Sequence, residues 1–143
     1  MSLSEKDKQI VKTLWAKIAP AADQLGGEAL SRMFQVFPQT KTYFAHWPDL
    51  SPGSDSVKQH GMKVMAGLGE AVNNIDDIFA ALSSLSDLHA FKLRVDPANF
   101  KVLSHNILVV IANHFPNDFS ADAHLALEKF LARVALALSD KYR

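Results

Sequence analysis

Length, composition and charge exclude several classes of protein. The chain has 143 residues, 48% of them hydrophobic and 21% charged, which is typical of one globular domain. Equal numbers of basic and acidic side chains give a formal charge of zero, which argues against binding to nucleic acid or an anionic membrane. The absence of cysteine excludes disulfides, thiolate metal sites and cysteine nucleophiles. Because the sequence shows neither a membrane-spanning run nor a signal peptide, we expect a soluble cytoplasmic protein with a single domain, residues 1–143.

Helical periodicity extends over almost the whole chain, so the sequence predicts an all-α fold of seven to eight helices. Ser4 and Asp7 have the spacing of a capping box at the first helix, and Pro20 ends that helix. Asp96 and Pro97 are typical of a helix start. No convincing strand pair is present, and the β-branched residues 107–111 fit a buried helix better than a strand. The predicted helices cover about residues 5–19, 22–37, 38–43, 54–73, 80–90, 97–115 and the stretch from 120 onward.

Two histidines lie on apolar helical stripes, and they are the most informative residues of the sequence. His60 is three residues after Val57 and four before Val64, so all three share one face. His89 follows Leu85 by four residues, so these two side chains also share one face. A single inward histidine is more often a core residue bonded to a backbone carbonyl. Two of them on different helices favour a shared buried ligand, because imidazole is a common metal ligand.

A bare metal site does not fit these histidines. Zinc needs three or four protein ligands, and the sequence contains no matching motif. Two imidazoles could instead serve a macrocycle that brings four nitrogens of its own, as haem does. Spacing alone leaves haem and an ordinary helical core as alternatives. Apolar walls for such a cofactor could come from Phe44, Val64, Leu85, Leu88, Leu93, Phe100, Leu103 and Leu138.

Other motifs carry less information. The sequence has no phosphate-binding glycine loop and no nucleophile elbow. Gly26 and Gly27 indicate either a helix interruption or a close packing contact. The side chain of Trp47 is expected to fill the interior of a loop.

Four segments in the right order resemble the haemoglobin α chains of the globin family, and the resemblance covers the whole length. They are FPQTKTYF at residues 37–44, VKQHGMKV at 57–64, LSDLHAFKLRVDP at 85–97 and SDKYR at 139–143. The start of the chain and the extra residue near Trp47 and Pro48 look like bony-fish α chains. The resemblance implies a globin fold that encloses a haem pocket, and an oxygen carrier with no enzymatic function.

The resemblance also assigns roles to individual residues. It makes His89 the proximal ligand of the iron of haem b (iron protoporphyrin IX) and His60 the distal histidine, which donates a hydrogen bond to bound O2. Val64 crowds the ligand, which can also be CO, and Phe44 wedges the haem. The pocket that the resemblance implies consists of Tyr43, Phe44, His46, His60, Lys63, Val64, Leu85, Leu88, His89, Leu93, Val95, Asn99, Phe100, Leu103 and Leu138.

Members of this family form α2β2 tetramers, so the resemblance implies haemoglobin β chains as partners and red-cell cytoplasm as the location. Haemoglobin is itself the standard example of concerted switching. Tyr142 and Arg143 are expected to form salt bridges in the low-affinity state and to contribute to a Bohr effect. The face expected to slide against the partner consists of Gln39, Thr42, Tyr43, Arg94, Val95, Asp96, Pro97 and Asn99.

The chain departs from mammalian α chains in a few places. Gln39 and Ala45 stand where Thr and Pro are usual, in the ridge that the partner's corner crosses, and Phe91 replaces a common histidine. The N-terminus fits the fish pattern in which Met1 is removed and Ser2 is acetylated, which would leave no free α-amino group.

Three other classes of protein remain as alternatives. A peroxidase on a globin frame would need a cation beside its distal base, and the stripe of His60 carries no arginine. A haem-free helical module would show no haem absorbance. A monomeric storage globin is disfavoured by the SDKYR ending and the corner at residues 94–97, which belong to interfaces in the family.

Overall fold

The computed structural model describes residues 2–142, and every regular element in that range is helical. This confirms the predicted all-α class. The α-helices are α1 Glu5–Ile18, α2 Ala22–Val36, α3 Asp55–Asn73, α4 Ile78–Ala81, α5 Ser83–Asp87, α6 Ala98–His114 and α7 Ala121–Ser139. Two segments, Ala19–Ala21 and Pro38–Phe44, are 3₁₀ helices, and Leu88–Leu93 is a π-helix.

The predicted helix starts at Ser4 and Ser120 are confirmed by side-chain hydrogen bonds. The amide of Asp7 donates to Ser4 Oγ and the amide of Ser4 donates to Asp7 Oδ2, both at 3.0 Å, which completes the capping box. The amide of Ala123 donates to Ser120 Oγ at 3.1 Å. Asp96 Oδ1 accepts from the amide of Ala98 at 3.0 Å, but α6 begins at Ala98 with Pro97 as its N-cap residue, one position later than predicted.

The predicted helix over residues 80–90 is wrong in its boundaries and its continuity. Helical structure begins earlier, at Ile78, and Leu82 separates α4 from α5 with φ −100° and ψ 8°, outside the helical region. The chain then widens into the π-helical segment, which ends where Arg94 takes a left-handed φ of 50°. Wide π turns are rare in proteins overall, and those that occur are often found at functional sites. This one contains His89.

A close contact between α2 and α3 explains the paired glycines. Helix α2 runs through Gly26 and Gly27 without interruption, so the packing alternative holds. A Cβ atom on Gly26 would lie 2.3 Å from the carbonyl oxygen of Gly61, and one on Gly61 would lie 2.4 Å from the amide nitrogen of Gly27. Only glycine lets the two backbones approach this closely, and the contact sets the position of α3, which carries His60.

The core is made of apolar faces of α1, α3, α6 and α7, with Phe130, Ile111 and Ile18 almost fully buried. Residues 107–111 lie inside α6, as predicted. A smaller cluster joins α2 to α3 through Phe34 and Val57. Between residues 2 and 142, no helix is both long and apolar enough to cross a membrane.

Candidate functional site

One large cavity collects the predicted pocket residues. It has a volume of about 690 Å³ and is walled by α3, α5, α6, α7, the 3₁₀ helix Pro38–Phe44 and the π-helical segment. All fifteen residues of the predicted pocket line this cavity, from Tyr43 to Leu138. The structure thus brings the predicted residues together, while their contacts with a cofactor stay predictions. The volume lies in the range of sites for small molecules and cofactors.

His89 is held in a defined orientation at the start of the π-helical segment. Its Nδ1 donates to the carbonyl oxygen of Leu85 at 2.7 Å. Because a carbonyl can only accept, Nδ1 carries a proton, and in the neutral tautomer with this bond the lone pair lies on Nε2. The ring also packs edge-on against Phe100, with centroids 5.2 Å apart. A hydrogen bond from the ring nitrogen that does not face the metal is the usual way in which proteins orient a metal-binding imidazole.

His60 is kept neutral by its surroundings. The half-buried ring meets Phe44 and Trp47 edge-on, with centroids 5.3 Å apart in both pairs. Burial is the main cause that lowers the pKa of His60 from 6.5 to about 4, and the positive charge of Lys63 and the neighbouring His89 lower it further. At neutral pH the imidazole therefore offers one N–H donor and one acceptor.

The rim of the cavity is more polar than its depth. The hydroxyl of Tyr43 accepts from the amide of Asp96 at 3.3 Å and from Asn99 Nδ2 at 3.1 Å, which ties the 3₁₀ helix to the start of α6. His46 and Lys63 are exposed residues of the cavity wall. An amphipathic ligand could therefore bury its apolar body and keep its anionic groups beside these side chains.

Two leucines of the predicted pocket are partly exposed. Leu88 is 38% exposed and Leu93 is 51% exposed. Both still line the cavity. Surface that faces an open cavity counts as exposed, so this exposure agrees with their position on the cavity wall.

Fourteen further residues line the cavity and were not assigned to it from the sequence. Trp47 is the most informative, because it contacts both Phe44 and His60. Gly67, Leu68 and Ile107 follow predicted wall residues at helical spacing, so extending the stripes could have found them. The others are Met33, Thr40, Asp55, Ser56, Gln59, Leu82, Ser104, Leu131, Val134 and Ala135.

The donor set fits haem better than a bare metal ion. Within residues 2–142, no group of three or more His, Asp or Glu side chains could hold a metal. The cavity offers two imidazoles, one of them oriented by a hydrogen bond from its Nδ1, and predominantly apolar walls. A macrocycle that supplies four nitrogens needs no more from the protein than this.

A second concavity of about 580 Å³ lies over α2, α3 and α6 and differs in chemistry. Its walls carry Asp23, Glu28, Arg32 and Lys58, but its lining contains no imidazole. It is a charged surface groove, which makes the histidine-lined cavity the better candidate for a functional site.

Some predictions fall at the ends of the chain. Arg143 and Met1 lie outside the described residues, so the salt bridges of the C-terminus and the processing of the N-terminus stay predictions. Tyr142 is described and exposed, and its amide donates to the carbonyl oxygen of Ser139 at 3.0 Å.

Comparison with known proteins agrees with the site. The family model described as "Globin" matches residues 27–138. Proteins named "Hemoglobin subunit alpha" are 64% identical in Artedidraco orianae and 62% identical in Danio rerio, in each case over all 143 residues and the full length of the relative. A "Hemoglobin cathodic subunit alpha" of Anguilla anguilla is 62% identical over the same extent. The cavity, its two histidines and these matches lead to one conclusion: the chain belongs to the globin family.

Proposed function

We propose that the chain binds oxygen reversibly through a ferrous haem b, as one globin domain that serves as the α subunit of an α2β2 haemoglobin. The observation that carries this proposal is the pairing of His60 and His89 on one apolar cavity. The names of the relatives support it, since those proteins are haemoglobin α subunits that match the whole chain.

Different residues of this chain would have different roles in binding the haem and its ligand. When bound, the haem supplies the iron that coordinates O2 reversibly. His89 would hold the iron through Nε2, with the carbonyl of Leu85 fixing the ring. His60 would donate its N–H to a polar ligand such as O2 and much less to CO. Apolar walls at Val64 and Leu103 exclude water and keep the local dielectric low.

The cavity supports a carrier better than a peroxidase. Cleavage of a peroxide bond needs a distal acid–base group together with a cation that stabilises the leaving charge. On its stripe, His60 lies between Val57 and Val64. None of the described residues on the cavity wall is an arginine. We therefore propose that the chain is not an enzyme.

The predicted partner surface is available for assembly. Gln39, Thr42, Arg94 and Asp96 are all exposed in the chain alone. This surface lies beside the cavity. Tyr43 and Asn99, which belong to the same predicted surface, line the cavity and bond to each other. Haemoglobin β chains are the proposed partners, and the cytoplasm of the red cell is the proposed location.

An absorption spectrum tests the proposal directly. The protein reconstituted with haem and reduced should show a single broad visible band that becomes two sharper bands in O2 and returns when O2 is removed. His89→Ala should lose haem or need added imidazole to retain it. His105→Ala, which changes an exposed histidine on α6, is the matched control and should keep the parent spectrum. A His89→Ala protein with unchanged haem affinity and spectrum would refute the assignment.

A further inference from the structure

A single buried hydroxyl joins the helix before His89 to the end of the chain. Ser86 on α5 is 1% exposed and is one of four buried polar residues among those described. Its Oγ donates to the carbonyl oxygen of Leu138 at 3.1 Å and accepts from the amide of Lys141 at 3.1 Å. These bonds span more than fifty residues of sequence, so they are tertiary contacts.

The bonds replace partners that the end of α7 lacks. The last carbonyls of a helix have no amide of their own helix to accept from. The amide of Tyr142, four residues after Leu138, donates to the carbonyl oxygen of Ser139 instead. Ser86 supplies a donor to Leu138 and an acceptor to Lys141. A hydroxyl can do both at once, whereas an apolar side chain of similar size can do neither.

The same serine is covalently joined to the group that orients His89. The carbonyl oxygen that accepts from His89 Nδ1 belongs to Leu85, and it is part of the peptide unit between Leu85 and Ser86. A rotation or shift of that peptide unit moves the carbonyl and therefore the imidazole. The path from the C-terminal residues to the ring thus contains two hydrogen bonds, the buried side chain of Ser86 and one rigid peptide plane.

We propose that Ser86 is a positioning residue for His89, through which the placement of the C-terminal residues 138–141 sets the orientation of the imidazole. The proposal deepens the proposed function, since it gives the binding site a mechanical connection to the end of the chain. Ser86 acts only through the Leu85 carbonyl and is not itself a ligand.

Removal of the hydroxyl tests the connection in the haem-reconstituted protein assembled with β chains. In Ser86→Ala, we expect the amide of Lys141 to exchange hydrogen about tenfold faster, which corresponds to the loss of one hydrogen bond. We also expect a changed NMR shift and faster exchange of the His89 Nδ1 proton. Ser84→Ala is the matched control, since Ser84 lies on the same helix and is exposed, and it should leave both signals unchanged.

A second variant keeps the test decisive if the alanine protein folds poorly. Ser86→Cys has nearly the same size but a weak donor, so it should give intermediate changes of both signals. An unchanged Lys141 amide in the two variants would overturn the link itself. A faster Lys141 amide with an unchanged His89 proton would show that Ser86 only anchors the terminus, which also overturns the proposal. The proposed function is judged separately, by whether the parent protein shows the iron–histidine vibration in its resonance Raman spectrum.

Discussion

At the scale of single residues, two histidines of one chain are prepared for different tasks by their neighbours. A carbonyl oxygen selects the tautomer of His89 and leaves Nε2 as a ligand. Two aromatic rings pack edge-on against His60 and shield it partly from water, which keeps it neutral as a hydrogen-bond donor. The chemistry of each imidazole is therefore set by its contacts, which are local for His89 and come from a distant segment for His60.

The neutral state of His60 predicts that stability falls in acid. Its pKa is about 4 in the folded chain and near 6.5 when unfolded. Between these values the unfolded state binds a proton that the folded state does not, so the stability contribution is complete above pH 6.5 and is lost as pH falls towards 4. The loss should reach at most about 3 kcal/mol. Urea unfolding of the cofactor-free chain from pH 7 to 4.5 measures it. His60→Gln should show a shallower dependence, and equal slopes would contradict the prediction.

Trp47 should determine how far the pKa of His60 is lowered. Trp47→Ala removes one of the two rings that shield the imidazole, so we expect the pKa of His60 to rise towards 6.5. Trp47→Phe retains an aromatic face and should have a smaller effect. NMR titration of the His60 ring protons distinguishes the variants. If the pKa is the same in all three proteins, burial by Trp47 is not its cause.

At the scale of elements, the position of α3 depends on a contact between backbones. Helix α2 packs more extensively on α3 than on any other described element, and the contact is closest at Gly26 and Gly61. Since α3 carries His60 and Val64, this contact also determines where one wall of the cavity lies. Stability and site geometry are thus coupled through two glycines.

Adding one methyl group to this contact should be costly. In Gly26→Ala, the new Cβ would lie 2.3 Å from the backbone oxygen of Gly61, so the helices must separate. We expect a loss of about 1–3 kcal/mol in the free energy of unfolding. Gly27→Ala is the control, because its Cβ would meet nothing closer than 4.0 Å and alanine favours a helix by about 1 kcal/mol. Urea unfolding that ranks the two variants equally would contradict this account.

At the scale of the whole molecule, the cavity gathers residues that are far apart in sequence. Its walls extend from Met33 to Leu138, and the buried hydroxyl of Ser86 links the chain's end to the same region. The exposed corner at Arg94 lies next to the cavity wall at Leu93 and Val95. A partner docked at this corner would therefore touch the segment that carries His89.

Assembly with β chains is the corresponding prediction. Sedimentation of the haem-reconstituted chain with haemoglobin β chains should show a four-chain species. Arg94→Glu reverses an exposed charge on the predicted partner surface and should weaken assembly. Lys12→Glu reverses an exposed charge on α1 and should leave it intact. If both variants weaken assembly to the same extent, the partner does not dock specifically at the corner that contains Arg94.

The sequence by itself determined the helical class, several of the helix starts and the two inward histidines. These features are local, because caps and apolar stripes depend on residues that are three or four positions apart. Ser4, Asp96 and Ser120 are recognisable for that reason. The resemblance of four segments then indicated the family and every residue of the predicted pocket.

Only the tertiary structure decided how the proximal segment is shaped and what surrounds each imidazole. The break at Leu82, the π turn at His89 and the left-handed Arg94 are departures from a regular helix that no helical periodicity encodes. The contacts of Trp47 with His60 and of Ser86 with Leu138 join residues that are distant in the chain. Such contacts depend on how helices pack, because local sequence sets the period of a helix but not the direction in which it meets its neighbours.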